Sequence, residues 1–264
     1  MEWWAAYLAV GALAGFLAGL LGVGGGFIIV PSLVYLFSSQ HFPQTHLVHL
    51  ALGTSLASII FTSVSSLRAH HAHGAVNWQI VRRITPGIVI GTLLGSGFAA
   101  LLPGSILALF FAVFVYFAAT QILIDIKPKP HRQLPGTAGI FLVGTIIGII
   151  FSLVAGGGAI LSIPFMLYCN IKTHDAIGTS SAIGFPIAVS GAAGYIITGL
   201  AQENLPPLSL GFVYLPALLG LVVTSMITAP FGARLAHRLP VERLNKIFAV
   251  FLYIIATNML VGLL

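Results

Sequence analysis

Two triple-glycine stretches lie inside otherwise apolar sequence, and their composition and spacing suggest a binding function. Residues 22–31 (GVGGGFIIVP) and 155–164 (AGGGAILSIP) align without a gap. The central glycines are Gly24, Gly25 and Gly26 in the first stretch and Gly156, Gly157 and Gly158 in the second. Glycine lets the backbone leave a helical path without a Cβ clash. Each stretch is therefore predicted to break a membrane helix into a hairpin.

Each glycine break predicts an anion-binding site. An apolar helix arm follows each break, and the first N–H groups of a helix have no intrahelical partner. The positive end of the helix dipole lies behind those groups, so they attract negative charge. Neutral dipoles can hold an anion without burial of a full positive charge. The alternative is close packing of glycine between helices, which is common in membranes, and the two interpretations are compatible.

Two Gly-Thr-Ser triplets place hydroxyl groups just inside later spans, namely Thr54 and Ser55 in the first half and Thr179 and Ser180 in the second. Hydroxyl groups can donate to an oxyanion and rotate their hydrogen to suit it. Alternatively, they bond to carbonyls of their own helix. The first interpretation makes these four side chains part of the substrate site.

Gln121 and Asn258 are the amides of the last span in each half. They either line the cavity or, as favoured here, hydrogen-bond between helices.

Histidines form two sets, but no metal or cofactor site is predicted from them. One set is His41, His46 and His49, in a polar segment expected to end before a span at Leu50, and the other is His70, His71 and His73. No Cys or carboxylate accompanies either set, and hydrated loop histidines are the favoured interpretation over a pH-sensing or metal role. No Asp or Glu lies centrally in a predicted span, so the coupling ion, proton or sodium, is unassigned.

The composition is that of an integral membrane protein. Of the 264 residues, 58% are hydrophobic and 6% are charged, and the mean hydropathy is +1.06. Soluble domains carry about 25% charged residues. The formal net charge of +6 comes from short loops beside apolar spans, where Lys and Arg set orientation in the lipid bilayer rather than contact nucleic acid. Cys169 is the one cysteine, which excludes an internal disulfide.

Internal homology divides the chain into a first repeat at 1–127, a cytoplasmic linker at 128–135 and a second repeat at 136–264. Besides the glycine stretches, three matches recur in order: Leu52–Ser55 with Ile177–Ser180, Pro86 with Pro216, and Phe111–Phe114 with Phe248–Phe251. Each repeat is predicted to comprise a glycine-broken hairpin and three further transmembrane helices, one of them starting near Ser209. The fold class is an all-α polytopic membrane protein with eight full spans plus two short or re-entrant hairpins, and up to ten passes.

Charge determines the predicted orientation of the repeats. If each hairpin enters and leaves on one face, all 11 Lys and Arg residues fall on the same side of the membrane. The positive-inside rule assigns that side to the cytoplasm. Both termini are then outside, and the halves are inverted relative to each other. Inverted repeats are a common plan of secondary transporters, with the binding site at the broken helices.

The paired GxGGG hairpins, the Gly-Thr-Ser triplets and the GAVNW stretch at 74–78 resemble the sulfite exporter TauE/SafE family of membrane permeases. The resemblance covers essentially the whole chain. It implies transport of small sulfur-containing or organic anions, such as sulfite or sulfonates, across the cytoplasmic (inner) membrane of a bacterial-type cell. The histidines depart from the pattern associated with that family.

The expected function is therefore transport of a small anion by alternating access. The anion would lie near the midplane between the two glycine breaks, and one half of the protein would rock against the other. A passive anion channel shares the fold and is the first alternative. A membrane-embedded enzyme is less favoured because the histidines fall in loops, so no enzymatic activity is predicted. The sequence predicts no particular oligomeric state.

Overall fold

A computed structural model describes residues 2–21, 25–124, 132–236 and 241–261. Within these ranges the chain forms ten α-helices and one short β-hairpin. The helices of the first half are α1 Glu2–Leu21, α2 Gly26–Ser39, α3 Leu47–Ala72, α4 Trp78–Leu101 and α5 Gly104–Ile124. Those of the second half are α6 Thr137–Val154, α7 Ala159–Tyr168, α8 Thr173–Gly199, α9 Leu215–Ala236 and α10 Val241–Val261. The strands β1 Ser209–Leu210 and β2 Val213–Tyr214 lie between α8 and α9.

The predicted all-α, multi-pass fold is confirmed. Seven helices in the described ranges are long and apolar enough to cross a membrane, including α1 and α6, the first arms of the two hairpins. The second arms are shorter: α2 has 14 residues and α7 has 10. At ~1.5 Å per residue they measure about 21 Å and about 15 Å, against a hydrocarbon core of about 30 Å. Each hairpin thus joins one spanning arm to one short arm.

Helices of the first half pack mainly against helices of the second half. α1 lies against α9, α4 lies against α6, α3 packs on α8, and α5 packs on α10. The two halves therefore share one core instead of forming separate lobes. α3 and α8 are the most buried of the candidate spans, so they form the centre of the bundle.

Glycines permit close approach in two of these helix pairs, at matched positions. A Cβ atom on Gly11 of α1 would overlap the backbone of Leu221 in α9. A Cβ atom on Gly144 of α6 would likewise overlap the backbone of Ile84 in α4. Small residues allow this kind of contact between membrane helices, where packing replaces the hydrophobic effect as the source of stability.

The α5–α10 pair carries two reciprocal hydrogen bonds. The Tyr116 hydroxyl lies 2.7 Å from Thr257 Oγ1, and the Tyr253 hydroxyl lies 2.6 Å from Thr120 Oγ1. Tyr116 and Tyr253 each lie five residues after the first residue of the FAVF tetrapeptide of their half. The segment that follows the repeated tetrapeptide therefore forms the contact between the two halves at the α5–α10 interface.

The start of α9 differs from the prediction. A span was expected from about Ser209, but Ser209 to Tyr214 form the β-hairpin and α9 begins at Leu215. Gly211 has φ +55°, a left-handed conformation that glycine adopts without a Cβ penalty and that turns the chain here.

The predicted match of Pro86 with Pro216 is wrong in register. Pro86 lies inside α4, whereas Pro216 is the second residue of α9.

The histidines near α3 also differ from the prediction of loop residues. His49 lies in the first turn of α3 and is 3% exposed. His70 and His71 lie in the last turn of the same helix, and His73 is its C-cap. α3 has 26 residues, more than the ~20 that a membrane crossing needs. Its backbone hydrogen bonds therefore continue into polar sequence that hydropathy assigns to loops.

Candidate functional site

The first glycine bend connects α1 to α2. Gly25 is the N-cap of α2, and its carbonyl accepts from the N–H groups of Ile28 and Ile29, each at 3.0 Å. No side chain caps this helix, so no side-chain oxygen accepts from the first N–H groups of α2. Gly26 begins the helix. Gly24, a predicted site residue, lies outside the described residues.

The second bend connects α6 to α7 and contains two left-handed residues. Ala155, the C-cap of α6, has φ 47°, and Gly158, the N-cap of α7, has φ 82°. The Gly158 carbonyl accepts from the Ser162 N–H at 3.0 Å. Glycine is needed at position 158 because a Cβ would be strained at that φ and would also contact Ile187.

The two bends are in direct contact. A Cβ atom on Gly26 would overlap the carbonyl oxygen of Ala155. The ring of Phe27, which follows Gly26, lies 3.2 Å from the position that a Cβ on Gly156 would occupy. The structure therefore brings the two glycine stretches together, as predicted for a shared site. It also shows that Gly26 and Gly156 serve close packing, so the open space lies beside this contact and not within it.

That open space is a cavity of about 370 Å³ that reaches Gly157. Its hydroxyl lining is Thr62, Ser63, Ser65, Ser66 and Ser181. His70 and Arg234 also line it, from the last turns of α3 and α9. The volume is within the range of small-molecule sites, about 300–1,000 Å³. We call the end of the bundle that carries His70 and Arg234 the cavity end.

Sequence reasoning missed most of this lining. Of the predicted site residues that the structure describes, Gly157 alone lines the cavity. The hydroxyl residues at 62–66 follow the Gly-Thr-Ser triplet by two to three turns of α3. A cluster of serines and threonines in a span of otherwise apolar sequence was the available signal. It went unused because such residues commonly bond to their own helix, as Ser63 does to the Ile60 carbonyl at 2.9 Å.

The threonines of the two triplets hold loops from the other half of the chain. Thr54 Oγ1 accepts from the Tyr214 N–H at 2.9 Å, and Thr179 Oγ1 accepts from the Asn77 N–H at 2.9 Å. Both side chains are 0% exposed. Tyr214 directly precedes α9, and Asn77 is the N-cap of α4. Each threonine therefore satisfies a backbone donor just before a helix begins; its role toward an anion stays a prediction.

The glycines of these triplets have a matching role. A Cβ on Gly53 would overlap the Phe212 carbonyl oxygen, and a Cβ on Gly178 would overlap the Ala75 carbonyl oxygen. Each triplet thus uses its glycine for close approach to a loop and its threonine for a hydrogen bond to the same loop. This contact accounts for the glycine and the threonine of the repeated motif, whereas the serine takes no part in it.

The serines and amides occupy four different environments. Ser180 Oγ accepts from the Ser162 hydroxyl at 2.8 Å, which links α8 to α7. Ser55 is 0% exposed, and its Oγ has no hydrogen-bond partner among the described residues. Gln121 Nε2 donates to the Ile160 carbonyl at 3.1 Å. Asn258 is exposed in a groove beside Pro31 of α2, so the two amides are not equivalent.

Aromatic side chains fill the opposite end of the bundle, which we call the His49 end. The aromatic cluster consists of Tyr7, Phe37, Phe42, His49, Phe212 and Tyr214. Phe37, Phe42 and Tyr214 have ring centroids 5.1 to 5.6 Å apart. The His49 ring stacks on Phe212 at 5.1 Å. The rings pack against one another, and the open space at this end lies beside them, in a groove of about 980 Å³ that is lined by Leu47, Val48 and Ser105.

Among the described residues, no three His, Cys, Asp or Glu side chains lie close enough to hold a metal ion. His49 and His70 lie at opposite ends of α3, so the two histidine sets are separated by the length of the helix. Cys169 is buried and free.

Comparison with known proteins identifies the family. The model of the family described as sulfite exporter TauE/SafE matches residues 7–259. A probable membrane transporter protein of Haemophilus influenzae is 40% identical over 257 residues, which is 96% of each chain. The probable membrane transporter protein YdhB of Bacillus subtilis is 29% identical over 247 residues, 91% of this chain and 92% of its own. The resemblance noted from the glycine motifs is confirmed: the chain belongs to the sulfite exporter TauE/SafE family.

Proposed function

We propose that this protein transports a small sulfur-containing anion, such as sulfite or a sulfonate, by alternating access. The family membership and the relatives, which are named as probable membrane transporters, support the transport class. The observation that carries the proposal is the hydroxyl-lined cavity that reaches a glycine bend inside the helix bundle. Broken helices at the interface of two repeats are where secondary transporters bind their substrates.

The chemistry of the cavity favours an anion. Its polar lining consists of hydroxyl groups, backbone at Gly157, one imidazole and one guanidinium. Hydroxyls and guanidinium groups can donate hydrogen bonds to an oxyanion. No Asp or Glu is among its described lining residues, so nothing there offers a cation a negative charge. Arg234 lies near the end of α9 and is exposed, where it can attract an anion without the cost of a buried charge.

The contrast between the two ends of the bundle supports alternating access. The cavity extends from the cavity end to Gly157, whereas at the His49 end the aromatic cluster lies between α1, α2, α3 and the β-hairpin, and the groove there runs beside the cluster. We take this arrangement to favour a carrier, since a channel in a conducting state would need a continuous path through the aromatic cluster. We assign the cavity end to the cytoplasm. Arg68 is near the end of α3, Lys172 directly precedes α8 and Arg234 is near the end of α9. Cytoplasmic loops and helix ends are rich in Lys and Arg.

Matched contacts support the inverted-repeat arrangement. Gly11 and Gly144, Thr54 and Thr179, and Tyr116 and Tyr253 make equivalent contacts with the other half. Each half also contributes five helices, so an odd number of membrane passes would invert one half relative to the other. In this arrangement, a rocking motion about α3 and α8 exposes the same site to the two sides in turn.

The decisive experiment is flux in proteoliposomes. The purified protein is reconstituted, and uptake of sulfite and of small sulfonates is measured for the wild type, Arg234→Gln and Ser66→Ala. We expect Arg234→Gln to reduce flux at low substrate concentration by about tenfold, since a hydrogen bond to a charged group contributes about 1.5–3 kcal/mol. Arg83→Gln is the matched control, because Arg83 is exposed on α4 and is not among the residues that line the cavity.

Three outcomes would each contradict one part of the proposal. Flux of none of these anions above that of protein-free liposomes would remove the substrate assignment. Single-channel currents far above the turnover of a carrier would replace alternating access by a channel mechanism. Unchanged flux in a folded Arg234→Gln variant would exclude the cavity mouth from the path.

A further inference from the structure

A buried histidine lies at the end of the bundle opposite the cavity. His49 is 3% exposed in the first turn of α3. Its Nε2 lies 3.0 Å from the Ala99 carbonyl oxygen, and its Nδ1 has no hydrogen-bond partner among the described residues. Because a carbonyl oxygen only accepts, Nε2 carries the hydrogen and Nδ1 carries a lone pair. An ionisable side chain buried in a membrane helix indicates a functional site.

His49 is part of the contacts that close the His49 end. Its ring stacks on Phe212, which belongs to the β-hairpin before α9. The next strand of that hairpin carries Tyr214, whose ring contacts Phe42 at 5.1 Å. The Tyr7 hydroxyl of α1 accepts from Gln40 Nε2 at 2.6 Å. The stacked rings therefore join α1, α2, α3 and the hairpin across this end of the protein.

Among the side chains that the structure describes, none forms an ion pair with His49. The ring of His46, which is titratable, has its centroid 6.1 Å from that of His49. α2, the end of α4 and the start of α5 bring no Asp, Glu, Lys or Arg to this end, and Glu203 of the loop before β1 is exposed. The other titratable residues in the described segments around the cluster are His41, Tyr7, Tyr195 and Tyr214, and Glu2 begins α1, which carries Tyr7. Burial raises the pKa of the Tyr214 phenol, so that group stays neutral.

We propose that His49 is the proton-binding site of a gate, and that a proton taken up at Nδ1 from the outside opens the aromatic cluster. This rests on the proposed alternating-access function. A proton at Nδ1 would create an imidazolium in a nearly dry aromatic site, with a new N–H that has no acceptor. Both effects disfavour the closed arrangement, whereas an open arrangement hydrates the charge. Proton binding at this residue supplies the coupling ion that carboxylates do not.

The position of the carboxylates strengthens the assignment. Within the described ranges, Glu2, Asp175 and Glu242 each lie in the first turn of a helix, and Glu203 lies in a loop. Intramembrane carboxylates are the common proton sites of transporters, and none of these four lies in the middle of a span. Among the described histidines, His49 is the one that is buried, and histidine is the side-chain type that commonly serves as a pH switch.

Cysteine labelling of intact cells tests gate opening without any substrate. Ser55→Cys, in a Cys169→Ala background, places a thiol six residues further along α3, about 9 Å below His49. A membrane-impermeant thiol reagent is applied from outside at about pH 7.5 and about pH 5.5, either side of the ordinary histidine pKa. Rates are normalised to Ser105→Cys, an exposed position at the start of α5, to remove the pH dependence of the thiol itself.

The normalised rate should rise several-fold at the lower pH and lose that rise in His49→Gln, which retains an N–H donor for Ala99 but cannot be protonated. His46→Gln should keep the rise. A pH-independent rate in the protein with native His49, or an undiminished rise in both His49→Gln and His49→Asn, would overturn the proposal. Because labelling needs no transported anion, failure of the flux assay would count against the proposed function and leave this test intact.

Discussion

At the scale of single residues, the repeated motifs form close backbone contacts and hydrogen bonds between segments of the protein. Gly26, Gly53 and Gly178 each face a carbonyl oxygen from another segment of the chain. Thr54 and Thr179 each accept a backbone N–H from a loop of the opposite half. In lipid, a backbone donor or acceptor without a partner costs several kcal/mol, so these contacts are needed before any ligand binds. The residues that contact a substrate are expected beside them, along the cavity.

Gly26→Ala should destabilise the protein. The added methyl group would overlap the Ala155 carbonyl oxygen, and the backbone of both bends would have to move. Overpacking of this kind costs about 1–3 kcal/mol. The measurement is the free energy of unfolding in mixed detergent micelles, with Gly97→Ala as the control.

Gly97 is the matched control because it also lies in a helix and a Cβ there meets nothing within 4 Å. Gly97→Ala should be neutral or stabilising, by up to about 1 kcal/mol, since alanine is the better helix former. Equal effects of the two substitutions would show that the bends are not in tight contact.

Thr54→Val should cost about 1–3 kcal/mol of stability, because it leaves the partly buried Tyr214 N–H without an acceptor. Thr54→Ser keeps the hydroxyl and should cost less. Thr179→Val removes the equivalent acceptor for Asn77 and should have a similar effect. The readout is the same unfolding free energy, measured without substrate; a loss that appears only when an anion is bound would instead assign the hydroxyl to the binding site.

At the scale of elements, the short arms of the hairpins carry prolines that open the helical hydrogen-bond ladder. Pro164 lies inside α7 and Pro31 lies inside α2. A proline has no N–H, so the carbonyl four residues earlier loses its intrahelical donor. In α7 that carbonyl belongs to Ile160, and Gln121 of α5 donates to it at 3.1 Å. The amide therefore joins two elements by satisfying a group that the proline leaves free.

A double-mutant cycle checks this role of Gln121. Gln121→Leu should cost about 0.6–1.7 kcal/mol, the range of interhelical hydrogen bonds in membranes. In a Pro164→Ala background the same substitution should cost less, because residue 164 then supplies its own N–H to Ile160. Additive effects in the cycle would show that Gln121 acts independently of the proline.

At the scale of the whole molecule, two intertwined halves share one core. α1 packs on α9 and α4 packs on α6, so neither half can fold around a core of its own. The proposed alternating access would require two arrangements of similar energy, in which either end is closed, and equivalent contacts in the two halves would allow both. In that proposal, the structure with its cavity open at the cavity end corresponds to one of these arrangements.

The proposed orientation has a direct check in intact cells. In a Cys169→Ala background, Ser105→Cys should react with an impermeant thiol reagent from outside, because it follows the turn between α4 and α5. Lys172→Cys, before α8, should react only after the membrane is permeabilised, because it lies on the side rich in Lys and Arg. Both positions are exposed. The reverse pattern would place the cavity end outside the cell and reverse the direction of the proposed gate.

The sequence by itself determined the class of fold and the family. An apolar composition with glycine breaks at matching places allows few structures in lipid, because every backbone polar group must be paired. The helix breaks near Gly25 and Gly157, and the shortness of the arms that follow, were predictable for that reason. The bounds of α3 and the β-hairpin before α9 were not, since hydropathy does not mark where a helix extends beyond the membrane.

Only the tertiary structure decided which residues of those elements meet. It turned Thr54 and Thr179 toward loops of the opposite half, placed the cavity at Thr62 to Ser66, and buried His49 under Phe212. These pairings join residues far apart in the chain, and a Ser, Thr or His carries no local signal of its distant partner. The physical reason is that side-chain roles in a membrane bundle follow from helix contacts, which depend on the whole packing and not on local sequence.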